Sequence, residues 1–141
     1  MKSFSKTTVM MAVLTLMFAM PLTAQIVNGV TLKTSFPFYA GYTRMPAGSY
    51  SITQSKIDPN TLLIQSADGK YSAYFDAQPT QTEQPHAKTE ATFDKYGSTD
   101  YLNGVWVQGQ QSGFRIQPTK AEQKDAENGA PQQHSVECAQ R

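Results

Sequence analysis

The sequence predicts an all-β domain, a small antiparallel barrel or sandwich of about six or seven short strands, followed by a short helix and a disordered tail. Three observations carry this prediction. Apolar and polar residues alternate with period two over several short runs, which places them on opposite faces of strands. Turn residues with defined backbone requirements separate those runs, foremost Met45-Pro46-Ala47-Gly48 and Asp68-Gly69. Finally, 7 Tyr, 7 Phe and 1 Trp supply enough apolar surface, with the Val, Leu and Ile residues, to build one packed interior.

The elements follow in order. Residues 1–24 read as a secretory signal peptide: Lys2 and Lys6 form a positive start, Val9 to Met20 is an apolar run interrupted only by Thr15, and Ala24 is a small residue suited to cleavage. That run is shorter than the roughly 20 apolar residues of a membrane span. The expected mature chain starts at Gln25, is exported to the periplasm or the medium, and carries no membrane span after cleavage. Residues 25–117 form the β-domain and 118–141 the helix and tail.

Val30, Leu32, Phe36 and Phe38 fall on one side of a first strand, with Thr34 the polar residue on that side and Pro37 a point where the strand bends or ends. A turn at Met45 to Gly48 leads into Ser49 to Gln54, with Tyr50 and Ile52 inward. Asp68-Gly69 then joins two strands, because the tight hairpin turn requires positive φ. With Ala67 opposite Lys70, Ile64 faces Ala73 and Leu62 faces Phe75 on one side of the ladder. The other side takes Gln65 with Ser72, and Leu63 with Tyr74 as a less polar pair.

A Pro-, Gln- and Thr-rich stretch from Gln78 to Thr89 lacks hydrophobic period and is expected to be an exposed loop. Ala91 to Tyr96 and Tyr101 to Val107 form a second hairpin around Gly97 to Asp100. Placing Tyr96 opposite Tyr101 sets Phe93 against Gly104 and Ala91 against Trp106, so that an aromatic ring covers a strand glycine, with Trp106 on the apolar face beside Phe93 and Leu102. Phe114-Arg115-Ile116 is a last strand. Thr119 and Glu122 have the spacing of a capping box, and the helix runs to about Asn128-Gly129. From Ala130 onward apolar content nearly vanishes.

Removing Lys2 and Lys6 from the 12 Lys plus Arg leaves ten against 11 Asp plus Glu. This balance gives no electrostatic basis for nucleic-acid binding, which needs clustered cations. The one cysteine, Cys138, excludes an internal disulfide, and no cysteine lies near Ala24 to receive a lipid. No phosphate loop, nucleophile elbow, Cys-x-x-Cys pair or His-Glu-x-x-His motif occurs. His86 lies in the expected loop and His134 in the expected tail, where neither has a rigid support. His134 and Cys138 supply at most half of a four-ligand zinc site. Asp94 and Asp100 read as solvated charges, so no catalytic residue, metal site or cofactor is assigned. An outer-membrane barrel would need strands of about 9 to 11 residues with a lipid-facing band, and the strands here run shorter.

Tyrosine offers an apolar face with a polar edge and suits sugars or flat ligands. Tyr96 and Tyr101, on the otherwise polar face of their hairpin, together with Tyr39 and Tyr42, are therefore the candidate contact residues.

Phe36-Pro37-Phe38-Tyr39-Ala40-Gly41 with Met45-Pro46-Ala47-Gly48-Ser49-Tyr50, then Leu62 to Lys70, and Phe93 to Gly97 with Trp106 together resemble an uncharacterised family of small exported bacterial β-proteins. The resemblance implies a signal peptide and a compact β-domain, and it brings no catalytic residues. The functional expectation is an exported, non-catalytic binding or envelope-associated module whose partner is a small ligand or an envelope protein. The alternative is a small exported enzyme whose site of carboxylates and tyrosines no motif reveals.

Overall fold

The computed structural model describes residues 29–140, so the expected signal peptide at 1–24 lies outside the described residues. The strands are β1 (Val30–Thr34), β2 (Phe38–Ala40), β3 (Thr43–Met45), β4 (Gly48–Gln54), β5 (Thr61–Ser66), β6 (Ser72–Gln81), β7 (Glu90–Tyr96), β8 (Thr99–Trp106), β9 (Ser112–Ile116), β10 (Gln132–Glu137) and β11 (Ala139–Gln140), with one helix, α1 (Lys120–Glu127), between β9 and β10. The all-β class with a short C-terminal helix therefore holds. The sheet has 11 strands rather than six or seven, because the β2–β3 hairpin and the two strands after the helix join it.

The strand order is β10-β7-β8-β9-β6-β5-β4-β1-β11, with β2 beside β8 and β3 beside β2. β6 is the hinge of this path: Ser72 to Asp76 pair with β5, whereas Ala77 to Gln81 pair with β9. Two leaves result, and their inner faces share one core that includes Leu32, Ile52 and Ile64 from one leaf and Phe93, Val105 and Phe114 from the other. The sheet is not a closed barrel. Its two end strands, β10 and β11, are consecutive pieces of one segment broken at Cys138, so they cannot bond to each other sideways. Between the named strands all pairings are antiparallel except Tyr39 with Tyr101 between β2 and β8, and an isolated bridge between His86 and Gln108 is also parallel.

Most of the local logic of the sequence is visible. β1 ends at Thr34 and the chain crosses to the other leaf through Ser35 to Pro37, as the proline requires. Thr34 turns its hydroxyl into the core without a hydrogen-bond partner. The Asp68-Gly69 hairpin has the expected register, Leu62 with Phe75 and Ile64 with Ala73. Gly69 has φ +76°, and Asp68 accepts from the Ser66 hydroxyl and the Lys70 amide. Those hydrogen bonds, that of Ser66 first, hold its carboxyl below the usual range.

Three expectations are corrected. Gln78 to Gln81 are strand, not loop: β9 lies on one side of them while β5 pairs only with the earlier half of β6, so Pro79 can face an unpaired edge. The second hairpin turns through Gly97-Ser98 alone, with Tyr96 opposite Thr99 and Phe93 opposite Leu102. A bulge then admits Asn103 as an extra residue, so Gly104 meets Thr92 and Trp106 meets Glu90. Trp106 therefore leaves the core face and covers glycines on the outer face, where a Cβ on Gly113 would come within 2.3 Å of its ring.

The third correction concerns the tail. Gln132 to Glu137 pair with Lys95 to Glu90 of β7, and Ala139 and Gln140 pair with Thr31 and Val30. The segment is ordered by backbone pairing, with His134 serving as its main inward aromatic. That ring packs on Phe93 and Phe36 at centroid distances of 5.5 and 5.1 Å, and its Nε2 meets Asp100 at 2.6 Å. Asp100 is thus a buried partner rather than a turn residue in water. Cys138, at the break between β10 and β11, is a buried free thiol, and burial pushes it up to about 11.

Candidate functional site

On the outer face of β7 and β8 the fold gathers three of the four candidate tyrosines. The single parallel pairing of β2 sets Tyr39 beside Tyr101, with rings stacked at 5.4 Å and 25°. Tyr96, five positions earlier across the hairpin turn, meets the Tyr101 ring edge-on at 5.9 Å and 70°. The Tyr101 hydroxyl donates to Asp125 of α1 at 2.7 Å, and only 5% of the residue is exposed. Burial first, then this bond, raises its hydroxyl well above the usual tyrosine value. Tyr101 is consequently a packing residue that anchors the helix. Tyr96 and Tyr39 are half-buried around it.

The helix that covers this face is unusual in what it buries. Thr119 caps it by accepting from the Glu122 amide at 3.2 Å, the forward half of the expected capping box. Glu122 returns no bond to Thr119 and is itself the buried residue of α1, only 8% exposed, while Ala121 and Ala126 face water. Burial, then Asp94 and then Asp125, pushes the Glu122 carboxyl up to about 7. Asp94 also accepts from the Asn103 side-chain amide. Carboxylates and tyrosines do converge here, with Glu122 largely buried. Beside the cluster, Tyr96, Asp125 and the 97–99 turn border a shallow hollow of about 460 Å³.

The fourth candidate, Tyr42, lies elsewhere and is 80% exposed. It occupies the β2–β3 turn, which Gly41 enters at φ +60° close against Phe75. A groove of about 250 Å³ runs from Tyr42 to Tyr74 of β6, which is 69% exposed, and on to Ile116 and the 117–119 segment that leads into α1. Thr43, Thr61, Asp76 and Gln117 add hydroxyl, carboxylate and amide groups to its walls. The predicted register already marks Tyr74 as an aromatic on a polar face, paired with Leu63, which is the signal that points to it. Nothing in the sequence brings Tyr42 to it, because that juxtaposition depends on where the β2–β3 hairpin packs.

The histidines and the tryptophan are structural. His86 stacks on Trp106 at 4.4 Å and 22°, pinning the 82–89 segment to the outer face with its Nε2 buried and unbonded. Among the described residues, no group of three His, Cys, Asp or Glu side chains is placed to hold a metal ion, and no helix is long and apolar enough to cross a membrane. No family model matches the chain, and no curated protein or solved structure matches it.

Proposed function

We propose that this is an exported, non-catalytic binding module that takes a sugar-like, polyhydroxylated ligand in the groove of Tyr42 and Tyr74. The observation that carries the reading is the pair of tyrosines exposed at 80% and 69% beside one groove whose walls also hold a carboxylate, an amide and two hydroxyls. Aromatic faces pack the apolar face of a sugar ring, while the polar groups fix its hydroxyls. The signal peptide expected at 1–24, and the likeness of Phe36 to Tyr50, Leu62 to Lys70 and Phe93 to Gly97 with Trp106 to an uncharacterised family of small exported bacterial β-proteins, support the compartment.

The test is native mass spectrometry of protein purified from its own envelope, followed by calorimetric titration with a panel of neutral oligosaccharides. The intact mass should correspond to a chain starting at Gln25. An oligosaccharide should bind, and Tyr42→Ala or Tyr74→Ala should weaken it at least about tenfold, or 1.4 kcal/mol, without changing the melting temperature. A retained envelope protein in place of a sugar would make the groove a protein contact. A clean monomer that binds none of the panel would overturn the reading.

The second reading, an exported enzyme, is favoured by one observation: Glu122, with a carboxyl near 7, stands beside Asp94 and Asp125. Turnover of a glycosidase or esterase panel, lost on Glu122→Gln, would establish it.

A further inference from the structure

A short helix normally docks through an apolar stripe. The buried residue of α1 is Glu122, its half-buried one is Asp125, and both alanines face water. Asp125 lies three residues on from Glu122 along the same helix, and its partner Tyr101 of β8 stands opposite Asp94 of β7, so the charges and hydroxyls that act on the Glu122 carboxyl are those of Asp94, Tyr96, Tyr101 and Asp125. None is a cation, and Lys120 and Lys124 point to solvent. The helix is held by a hydroxyl bond from Tyr101 and by uncharged contact of a carboxyl, with little apolar area to resist separation. Its first residues continue directly from Gln117, Pro118 and Thr119, which form one wall of the Tyr42–Tyr74 groove.

We propose that α1 is a proton-operated latch: it stays docked while Glu122 carries its proton, and ionisation of Glu122 against Asp94 and Asp125 releases it and displaces the groove wall at 117–119. The regulatory consequence rests on the groove reading given above, while the latch itself is a property of the unliganded protein. The direction follows from where the proton is bound. Below the ordinary value of 4.5 both docked and released helices carry it, so docking is strongest. Between 4.5 and about 7 the released form has lost its proton to solvent and the docked form still holds it, so docking weakens with each rise in pH. Above 7 both are ionised and the weakening is complete, on the order of a hundredfold in the docking equilibrium.

The experiment is amide hydrogen exchange on the unliganded full chain between pH 5 and 8, corrected for the intrinsic pH dependence of exchange, on the parent, Glu122→Gln and Asp94→Asn. In the parent, protection of the α1 amides, including those of Glu122 and Gln123 that bond to Thr119, should fall together by on the order of a hundredfold as pH rises from 5 to 7 and level off above 7. Glu122→Gln, neutral at every pH, should keep the low-pH protection throughout. Asp94→Asn should move the transition to lower pH. Protection in the parent that does not change with pH, an equal fall in Glu122→Gln, or loss of protection along α1 with the Glu122 and Gln123 amides that bond to Thr119 still protected would each overturn the proposal. Failure of every oligosaccharide to bind would remove the groove reading but leave these amide measurements untouched, so the two failures are distinguishable.

Discussion

Replacing Gly113 by alanine tests the placement of Trp106 more sharply than removing the tryptophan. A Cβ at Gly113 would sit 2.3 Å from Cε3 and 2.8 Å from Cζ3 of the indole, and 2.9 Å from the Val105 carbonyl oxygen. Carbon atoms in contact prefer about 3.5 to 4 Å, so the ring must withdraw by more than about 1 Å. It has little room, because His86 stacks on it at 4.4 Å and only 5% of the tryptophan is exposed. Overpacking of this kind costs about 1 to 3 kcal/mol, with complete loss of the tryptophan packing, about 3 to 5 kcal/mol, as the ceiling. Against it stands a gain of roughly 0.5 to 1 kcal/mol from the smaller backbone entropy of alanine in a strand. The net expectation is a loss of about 1 to 1.5 kcal/mol, or about 5 °C in Tm for a domain of this size. Guanidinium unfolding followed by circular dichroism reads it, and the penalty should shrink by at least about 1 kcal/mol in a Trp106→Leu background, where the ring is gone. An alanine variant as stable as the parent, or the same penalty with leucine at 106, would refute the packing of Trp106 over Gly113.

Three further substitutions or reactions probe separate parts of the molecule. Gly69→Val should cost at least about 1 kcal/mol through its backbone alone, because φ is +76° and a Cβ there meets nothing within 4 Å; chemical denaturation at neutral pH measures it. Tyr101→Phe deletes the hydroxyl that donates to Asp125 and should lower stability by about 1.5 to 3 kcal/mol, as a hydrogen bond to a charged group does; an unchanged denaturation midpoint would show that the helix is not anchored there. The Cys138 thiol, raised to about 11 by burial, should react with a disulfide reagent at pH 8 at least about a hundredfold more slowly in the folded protein than after unfolding, and equal rates would contradict its burial.

What the sequence disclosed depended on whether the controlling contact was local. The Asp68-Gly69 register was readable because turn and alternation agree within about a dozen residues, and both hold in the ladder. Gly104 shows the opposite: a glycine under an aromatic ring was the right physics, but the Asn103 bulge puts Trp106, not Phe93, over it. Thr99 and Asp100 look like turn residues until His134, distant in sequence, supplies the partner that lets Asp100 be buried. The same histidine hides β10, since a polar count misses a ring that packs as an aromatic. Among the candidate tyrosines, facing direction on a strand was legible for Tyr96 and Tyr101. The helix that covers them was not, because α1 has no apolar stripe to announce the face it docks.

The segment that runs through Cys138 lies along both ends of the sheet, so it governs the order in which the molecule can assemble. Val30 acquires its outer neighbour only when Gln140 arrives, and Ala91 acquires its own only from Val136. Until then β1 and β7 each present a bare row of backbone donors and acceptors, the kind of edge that recruits other chains. Pairings this remote in sequence also form slowly, since the intervening chain must first be ordered. A chain whose residues 132–140 have yet to pair would therefore remain unfinished, and open to a holding chaperone or to self-association. Shortening it after Glu127 would leave those two edges permanently bare, a fault that acts in the kinetics of folding before any loss of core.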